Sequence, residues 1–396
     1  MEKLNQKKIL IWTSSFYPRI GGLESSVMNL SKFLISREWT LKIITNKYPR
    51  ILQDNESTDN IEISRFYFFN NPMKYIISGR VDLFISWILL KPITIIRLYQ
   101  FFKNFKPQIV NLHFPDHQLF ECLILKYIFK FKLIISLHGN DVEKFKKIGL
   151  FSFRSILIKT IFNSADLITG CSKYLLNEFR STSINQDHSK CFLLYNGVDN
   201  VFYDKHKFSP KEDYIFSVGR PVPIKGFDIL LKAYQSIDGY DLMIAGTSSL
   251  SELTKTVNPS TQIQLLGNLS SKQISKFMRR AKITIIPSRG DSFGIVVAEA
   301  ICSGSPVIAT KVGGIPEVIN IAKSQLSKEE CLVFDRFVRL VDPHHKAISD
   351  GAIKIINGYD DLEQYIAIIP KIGKQFNWEN RFNDYDAFLI NKLLGI

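Results

Sequence analysis

Apolar residues follow two alternating patterns along this chain. Short, nearly continuous apolar runs are separated by longer stretches in which apolar positions return every three or four residues. The first pattern reads as strands buried on both faces and the second as amphipathic helices, so their alternation predicts parallel sheets covered by helices. In the first half the runs predict strands at 8–13, 41–45, 61–66, 109–113, 133–137, 167–169 and 192–195. In the second half they predict strands at 214–218, 241–245, 263–265, 283–286 and 306–309. Around 199–211, DNVFYDKHKFSPK breaks the alternation with polar residues, charge and a proline. The fold class expected is therefore α/β, with two doubly wound domains at 1–203 and 204–375 and a terminal helix at 376–396. A length of 396 residues also favours two hydrophobic cores over one.

No apolar run reaches the length of a spanning helix, because Lys91 and Pro92 follow Leu90 and His138 follows Leu137. The opening MEKLNQKKILIWTSSFYP places lysines before an apolar run too short for a secretory signal, and it reads as a first strand. Cys122, Cys171, Cys191, Cys302 and Cys331 are widely spaced and form no CxxC pair. They are expected to be reduced thiols, with neither a disulfide framework nor a zinc site. These features predict a cytoplasmic protein, either free or held at the inner face of the cell membrane.

Charge changes the picture by its distribution. Residues 1–199 carry 27 Lys and Arg against 16 Asp and Glu, whereas 200–396 carry 24 against 21. The basic excess thus belongs to the first half, and it suits an anionic surface. It is densest over 65–106, where seven cations and the single acid Asp82 are interleaved with Phe66, Trp87, Phe101 and other aromatics. That stretch reads either as an interfacial membrane segment or as a helix packing its aromatic face inward. No nucleic-acid-binding motif accompanies the charge, so nucleic acid is not the expected partner.

Ligands of doubly wound sheets bind at the carboxyl ends of the strands, so the loops there hold the candidate chemistry. After the first strand come Gly21 and Gly22, whose backbone a phosphate or sugar can approach closely; paired glycines also make ordinary turns. They lack GxGxxG spacing, which disfavours a nicotinamide cofactor. His138 and Asp141, in HGND, follow the strand ending at Leu137, where a neutral imidazole can exchange one hydrogen bond with a sugar hydroxyl. YNGVD, with Asn196 and Gly197, reads as turn chemistry. In the second half, Arg220 follows a strand and Lys225 precedes a helix, two cations placed to neutralise a diphosphate. The stretch IIPSRGDSFGIVVAEAICSGSPVIATKVGGIPE then gives a strand, a polar turn with Asp291, a helix from about Phe293 carrying Glu299, and a strand ending in glycines. The Asp-x-Asp at Asp384 and Asp386 reads as a solvated helix face, and no metal ligand is expected among these residues.

VGRPVPIKGFDILLKA, PSRGDSFGIVVAEAICSGSPVIAT and VGGIPE, preceded in order by IGGLE, HGND and NGVD and followed by QFNWENRFNDYDAFL, together resemble the retaining glycosyltransferases of family 4 over nearly the whole chain. The resemblance implies the GT-B fold: two Rossmann-like domains facing across a cleft, with a C-terminal helix crossing back to the first. It implies that Glu299, second acid of the EX7E motif, holds the nucleotide ribose, and that Asp291, the first, faces the donor sugar. Ser292, Phe293 and Gly294 would open the helix that meets the phosphate. Arg220 and Lys225 would stabilise the departing nucleoside diphosphate, Gly21 and Gly22 would let the first domain approach it, and His138 would contact the sugar. Asp291 departs from the family's Glu by one methylene, AGTSS at 245–249 is poorer in glycine than its counterparts, and 322–340 fits the pattern poorly. The expected activity is transfer of a hexose from a nucleotide diphosphate sugar to a carbohydrate or lipid-linked acceptor in cell-surface polysaccharide synthesis, with no cofactor or metal. A GT-B-type nucleotide-sugar epimerase and a non-catalytic accessory subunit are the alternatives.

Overall fold

The computed structural model describes residues 7–19, 21–68, 72–146, 153–182, 184, 187–203, 210–249 and 262–395. The chain divides into two compact units, Met1–Leu194 with Phe382–Ile396, and Tyr195–Arg381. The charged part of the expected boundary segment, 204–209, lies outside the described residues.

In unit 1 the strands are β1 (Lys8–Thr13), β2 (Thr40–Asn46), β3 (Asn55–Thr58), β4 (Ile61–Phe66), β5 (Ile109–His113), β6 (Lys132–Leu137), β7 (Leu167–Gly170) and β8 (Cys191–Leu193). The helices are α1 (Gly22–Ser36), α2 (Pro72–Ile77), α3 (Val81–Phe105), α4 (Leu119–Phe129), α5 (Asn140–Lys146), α6 (Phe153–Ser164) and α7 (Lys173–Arg180). The sheet order is β3-β4-β2-β1-β5-β6-β7-β8, parallel throughout except for β3 against β4. The core strands are sealed on both faces: Ile9 to Thr13 and Ile109 to His113 are all buried. Residues from Phe382 onward complete this unit. Trp39 donates its indole N–H to Asp386 at 2.7 Å, Asn111 of β5 donates to the Tyr385 hydroxyl at 3.1 Å, and Phe33 packs on Phe382. Asp386 is thus a hydrogen-bond acceptor at a packed surface and not the solvated residue expected, whereas Asp384 is exposed.

In unit 2 the strands are β9 (Glu212–Val218), β10 (Asp241–Ala245), β11 (Ile263–Leu265), β12 (Ala281–Ile286), β13 (Val307–Thr310) and β14 (Val338–Val341). The helices are α8 (Phe227–Tyr234), α9 (Ser271–Arg280), α10 (Ile295–Cys302), α11 (Ile315–Lys323), α12 (Lys328–Phe337), α13 (His345–Ile356) and α14 (Leu362–Phe376). A last helix, α15 (Trp378–Phe388), spans the division between the units. The order β11-β10-β9-β12-β13-β14 is the doubly wound order, with its switch point between β9 and β12. The segment 322–340 is regular: Ser327 and Glu330 form a capping box that opens α12, and β14 follows on the sheet edge beside β13. NGVD is architectural. A Cβ on Gly197 would stand 2.5 Å from the Trp378 ring, Val198 N–H donates to the Phe376 carbonyl, and Trp378 donates to Asp199.

The helix α3 resolves the two readings of the basic, aromatic stretch in an unexpected way. Phe66, Phe68, Phe102 and Phe105 are buried, the first two against Arg97 and Trp12, so the aromatic face is core. The outward face is aliphatic: Val81, Ile85, Ile88, Leu89, Ile93 and Ile96 are each 48–63% exposed. Lys91 and Arg97, the two cations inside this stripe, turn aside to pair with Glu121 and Asp54. Phe69 lies outside the described residues. Among the described residues no helix is long and apolar enough to cross a membrane.

Candidate active site

At the switch point of unit 2 the loops after β9 and β12 are built onto each other. Gly226 adopts φ +68°, and a Cβ there would lie 2.0 Å from the Pro287 carbonyl oxygen, so only glycine allows the contact. Arg289 N–H donates to the Ile224 carbonyl, while its guanidinium forks onto Asp228 at 2.6 and 2.7 Å. The fork holds the Asp228 carboxyl below its ordinary value. Lys225 then meets Asp291, Nζ to Oδ2 at 2.6 Å.

Asp291 has a second task. Its Oδ1 accepts the N–H groups of Gly294 at 2.8 Å and Phe293 at 3.3 Å. The side chain therefore closes the turn that precedes α10, which starts at Ile295 behind Gly294, two residues later than the sequence suggested. Two of the N–H groups expected to face a phosphate are thus occupied by the protein's own carboxylate, and Lys225 is paired instead of free. The VGG segment after β13 supports the same turn: Gly314 N–H donates to the Asp291 carbonyl, and a Cβ on Gly313, at φ +55°, would stand 2.0 Å from that oxygen. Ser292 is half-buried and Phe293 buried, its ring 5.9 Å from Tyr195. The Tyr195 hydroxyl donates to Glu317 at 3.0 Å.

Arg220, after β9, is exposed and forms no ion pair or side-chain hydrogen bond with the described residues. Glu299 lies on α10 one helical face inward, partly buried. Burial pushes its carboxyl up to about 8, and the Asp199 carboxylate adds to the shift. It accepts no hydrogen bond from the described residues.

In unit 1 the switch point lies between β1 and β5. Gly21 is extended, φ −174°, and caps α1; a Cβ there would meet only the Glu24 carboxylate, which accepts from Ser15 at 2.6 Å. Gly22 is the exposed first residue of α1. His138 follows β6, and its backbone N–H, with those of Gly139 and Val142, is received by Asp141. Asp141 is completely buried, and burial raises its carboxyl against the pull of those three donors. Beside His138 stands a residue that the sequence reading missed: His113, the last residue of β5, only 3% exposed. Nδ1 of His113 lies 3.0 Å from Nε2 of His138, with the rings stacked at 5.3 Å. Burial drives both imidazoles down, His138 to about 4. The available signal was IVNLH, a strand whose polar residues fall on alternate positions of an otherwise apolar run.

A surface concavity among Lys8, Thr40, Lys42, Glu62 and Phe105 sits at the amino ends of β1, β2 and β4. It is at the wrong end of the strands for a doubly wound ligand site, and its Lys42 and Glu62 pair with each other.

Comparison with known proteins adds independent support. The family model described as Glycosyltransferase Family 4 matches residues 20–201, and the model for Glycosyl transferases group 1 matches residues 200–367. An uncharacterized glycosyltransferase of Methanocaldococcus jannaschii is 29% identical over 93% of this chain and 94% of its own length. The solved sucrose-phosphate synthase of Thermosynechococcus elongatus superposes with a TM-score of 0.75 at 17% identity, covering 98% of this chain and 100% of that one. Anabaena HepE in complex with UDP-glucose does so with a TM-score of 0.65 at 16% identity, covering 97% and 99%. With both halves matched and the fold shared from end to end, this chain belongs to the group 1 and family 4 glycosyltransferases and has the GT-B fold.

Proposed function

We propose that this protein is a retaining hexosyltransferase that moves a hexose from a nucleotide diphosphate sugar to a hydroxyl of a carbohydrate or lipid-linked acceptor, in the synthesis of a cell-surface polysaccharide. The observation that carries this reading is the switch point of unit 2, where Arg220, exposed and unpaired among the described residues, the Lys225–Asp291 pair and Glu299, its carboxyl raised by burial, lie on loops and a helix at the carboxyl side of β9 and β12. That Anabaena HepE binds UDP-glucose supports a nucleotide sugar as donor.

In this reading the bond between the anomeric carbon and the β-phosphate oxygen breaks, and the acceptor oxygen bonds to that carbon on the same face. The acceptor's proton passes to the departing phosphate. Negative charge grows on the diphosphate, so fixed cations at Arg220 and Lys225 lower the barrier most when they are already in place. Lys225 would exchange its bond to Asp291 for the phosphate, freeing Oδ2 of that carboxylate for the donor sugar while Oδ1 keeps the N–H groups of Phe293 and Gly294. Glu299 would hold the ribose hydroxyls, and His138 the sugar. No metal is assigned a role.

Incubation with a panel of nucleotide sugars and acceptors, with the anomeric configuration of the product read by NMR, tests this. The expected result is a glycoside that keeps the donor's configuration, formed equally well in the presence of a chelator. Epimer formed from donor alone would instead favour the epimerase, and binding without any turnover the accessory subunit.

We further propose that the aliphatic stripe of α3 rests on an anionic membrane. Residues 72–130, which include it, carry eight Lys and Arg against three acids, and a bilayer complements both properties at once. The full-length protein should co-sediment with phosphatidylglycerol-containing vesicles at low salt, and a Leu89→Ser, Ile93→Ser double variant should lose most of that binding. Absence of binding by the parent protein at low salt would refute the attachment.

A further inference from the structure

The pairing of His113 with His138 has a consequence for what His138 offers a ligand. β5 and β6 are adjacent and parallel, with His113 opposite Ser136, so the last residue of β5 reaches the first residue beyond β6. At 3.0 Å between Nδ1 of His113 and Nε2 of His138, one proton lies between the two nitrogens. Burial disfavours the charged form of either ring, so each imidazole is neutral and carries one proton.

Two arrangements satisfy that count. If His138 donates from Nε2, His113 must carry its own proton on Nε2. If His113 donates from Nδ1, its Nε2 is a bare lone pair, and His138 carries its proton on Nδ1. The deciding atom is Nε2 of His113, which is buried and has no hydrogen-bond partner among the described residues. A sealed N–H without an acceptor is rarer and costlier than a sealed lone pair. The second arrangement is therefore the stable one. Among the described residues nothing bonds Nδ1 of His138, and His138 itself is not fully buried.

We infer that His113 is a positioning residue: its Nδ1–H fixes His138 in the tautomer that presents an Nδ1–H donor, so that His138 recognises an oxygen lone pair of a sugar and not a hydroxyl proton. This rests on the reading that His138 meets the sugar of the donor. It gives the buried strand end of β5 a role in the reaction without contact to substrate, and it predicts preference for a donor whose sugar turns a hydroxyl or ring oxygen, acting as acceptor, toward this ring.

The test is [15N]histidine NMR on the full-length protein, with His138 assigned by the loss of its signals in His138→Gln. The expected result is a protonated Nδ1 and a bare Nε2 on His138 near neutral pH; the reverse assignment overturns the proposal without any variant of His113. His113→Asp sets an acceptor where the donor stood, and His138 should then move to the Nε2–H tautomer, with kcat lowered about 10–100-fold, the range seen when a partner that orients an imidazole is lost. His113→Asn sets an amide N–H where Nδ1–H stood, and it should restore both the tautomer and most of kcat. A tautomer unchanged in His113→Asp would overturn the positioning role. Should His138→Gln transfer sugar at the parent rate, the reading of His138 as a sugar contact falls, while the NMR result on the tautomer stands by itself.

Discussion

The two sheets share a winding and differ in what they hold at the switch point. In unit 2 the loops after β9, β12 and β13 are tied by full charges and by glycines pressed against carbonyl oxygens: Arg289 on Asp228, Lys225 on Asp291, Gly226 on Pro287, Gly313 on Asp291. In unit 1 the end of β5 and the loop after its neighbour β6 hold two stacked imidazoles and a carboxylate turned entirely onto backbone N–H groups. On the reading proposed above, the loops of unit 2 would meet charge and those of unit 1 uncharged hydroxyl groups.

The sharpest way to break this contrast is to remove a charge from one side and a ring from the other. Lys225→Ala should lower turnover by about 10²–10³-fold, the scale of a lost electrostatic contact to developing charge, and should abolish the rise in melting temperature caused by a nucleoside diphosphate. His138→Ala should lower turnover but leave that thermal shift in place. Equal loss of the shift in both variants would show that the two sides do not divide the work.

Backbone geometry separates the units next. Gly313→Ala drives a Cβ into the Asp291 carbonyl at positive φ, and it should cost about 3 kcal/mol or more in urea unfolding. Gly21→Ala, in extended backbone and facing only a movable carboxylate end, should cost less than about 1 kcal/mol. A small loss at Gly313 would mean that the three loops are not as tightly interlocked as their contacts imply.

The dependence on pH is a further contrast, and it runs in opposite directions. Glu299 has a folded value near 8, above its ordinary 4.5, so the folded state retains a proton that the unfolded state gives up, and stability declines as pH rises through that window. The ligand-free Glu299→Gln variant should match the parent at about pH 4.5 and exceed it by roughly 2–4 kcal/mol at about pH 9. His138, at about 4 against an ordinary 6.5, is the reverse case: the unfolded state takes up a proton first, so stability declines as pH falls from 6.5 toward 4. Melting temperatures of the parent and Glu299→Gln across pH check the first; His138→Gln checks the second.

The sequence made the parallel strands legible because burial on both faces leaves an unbroken apolar run, as at Ile9 to Trp12 or Leu133 to Ile135. It hid β3 and β14 for the opposite reason. NEST lies at an antiparallel edge and VRLV at a half-exposed one, so neither carries such a run. The stretch 65–106 stayed open on composition: aromatics beside cations fit either an interface or a core, and it is the fold that puts Phe66, Phe68, Phe102 and Phe105 in the core and turns the aliphatic residues out. The charged residues of the candidate site were visible from their places at strand ends. Their pairing was not, because Lys225 with Asp291 and His113 with His138 join loops from different strands, and nothing local in either segment records the partner.

The division of the chain also bears on the order in which it is made. Unit 2 is an insertion within unit 1, since Phe382–Ile396 returns to supply Tyr385 and Asp386 to β5 and Trp39. A ribosome therefore releases a complete set of residues for unit 2 before the last pieces of unit 1 have been synthesised. Until then the Trp39 indole and the Asn111 amide of the nascent chain lack their final partners, and expression of residues 1–194 alone would leave them so permanently. Dissecting this enzyme into halves calls for joining 1–194 to 382–396 through a short linker.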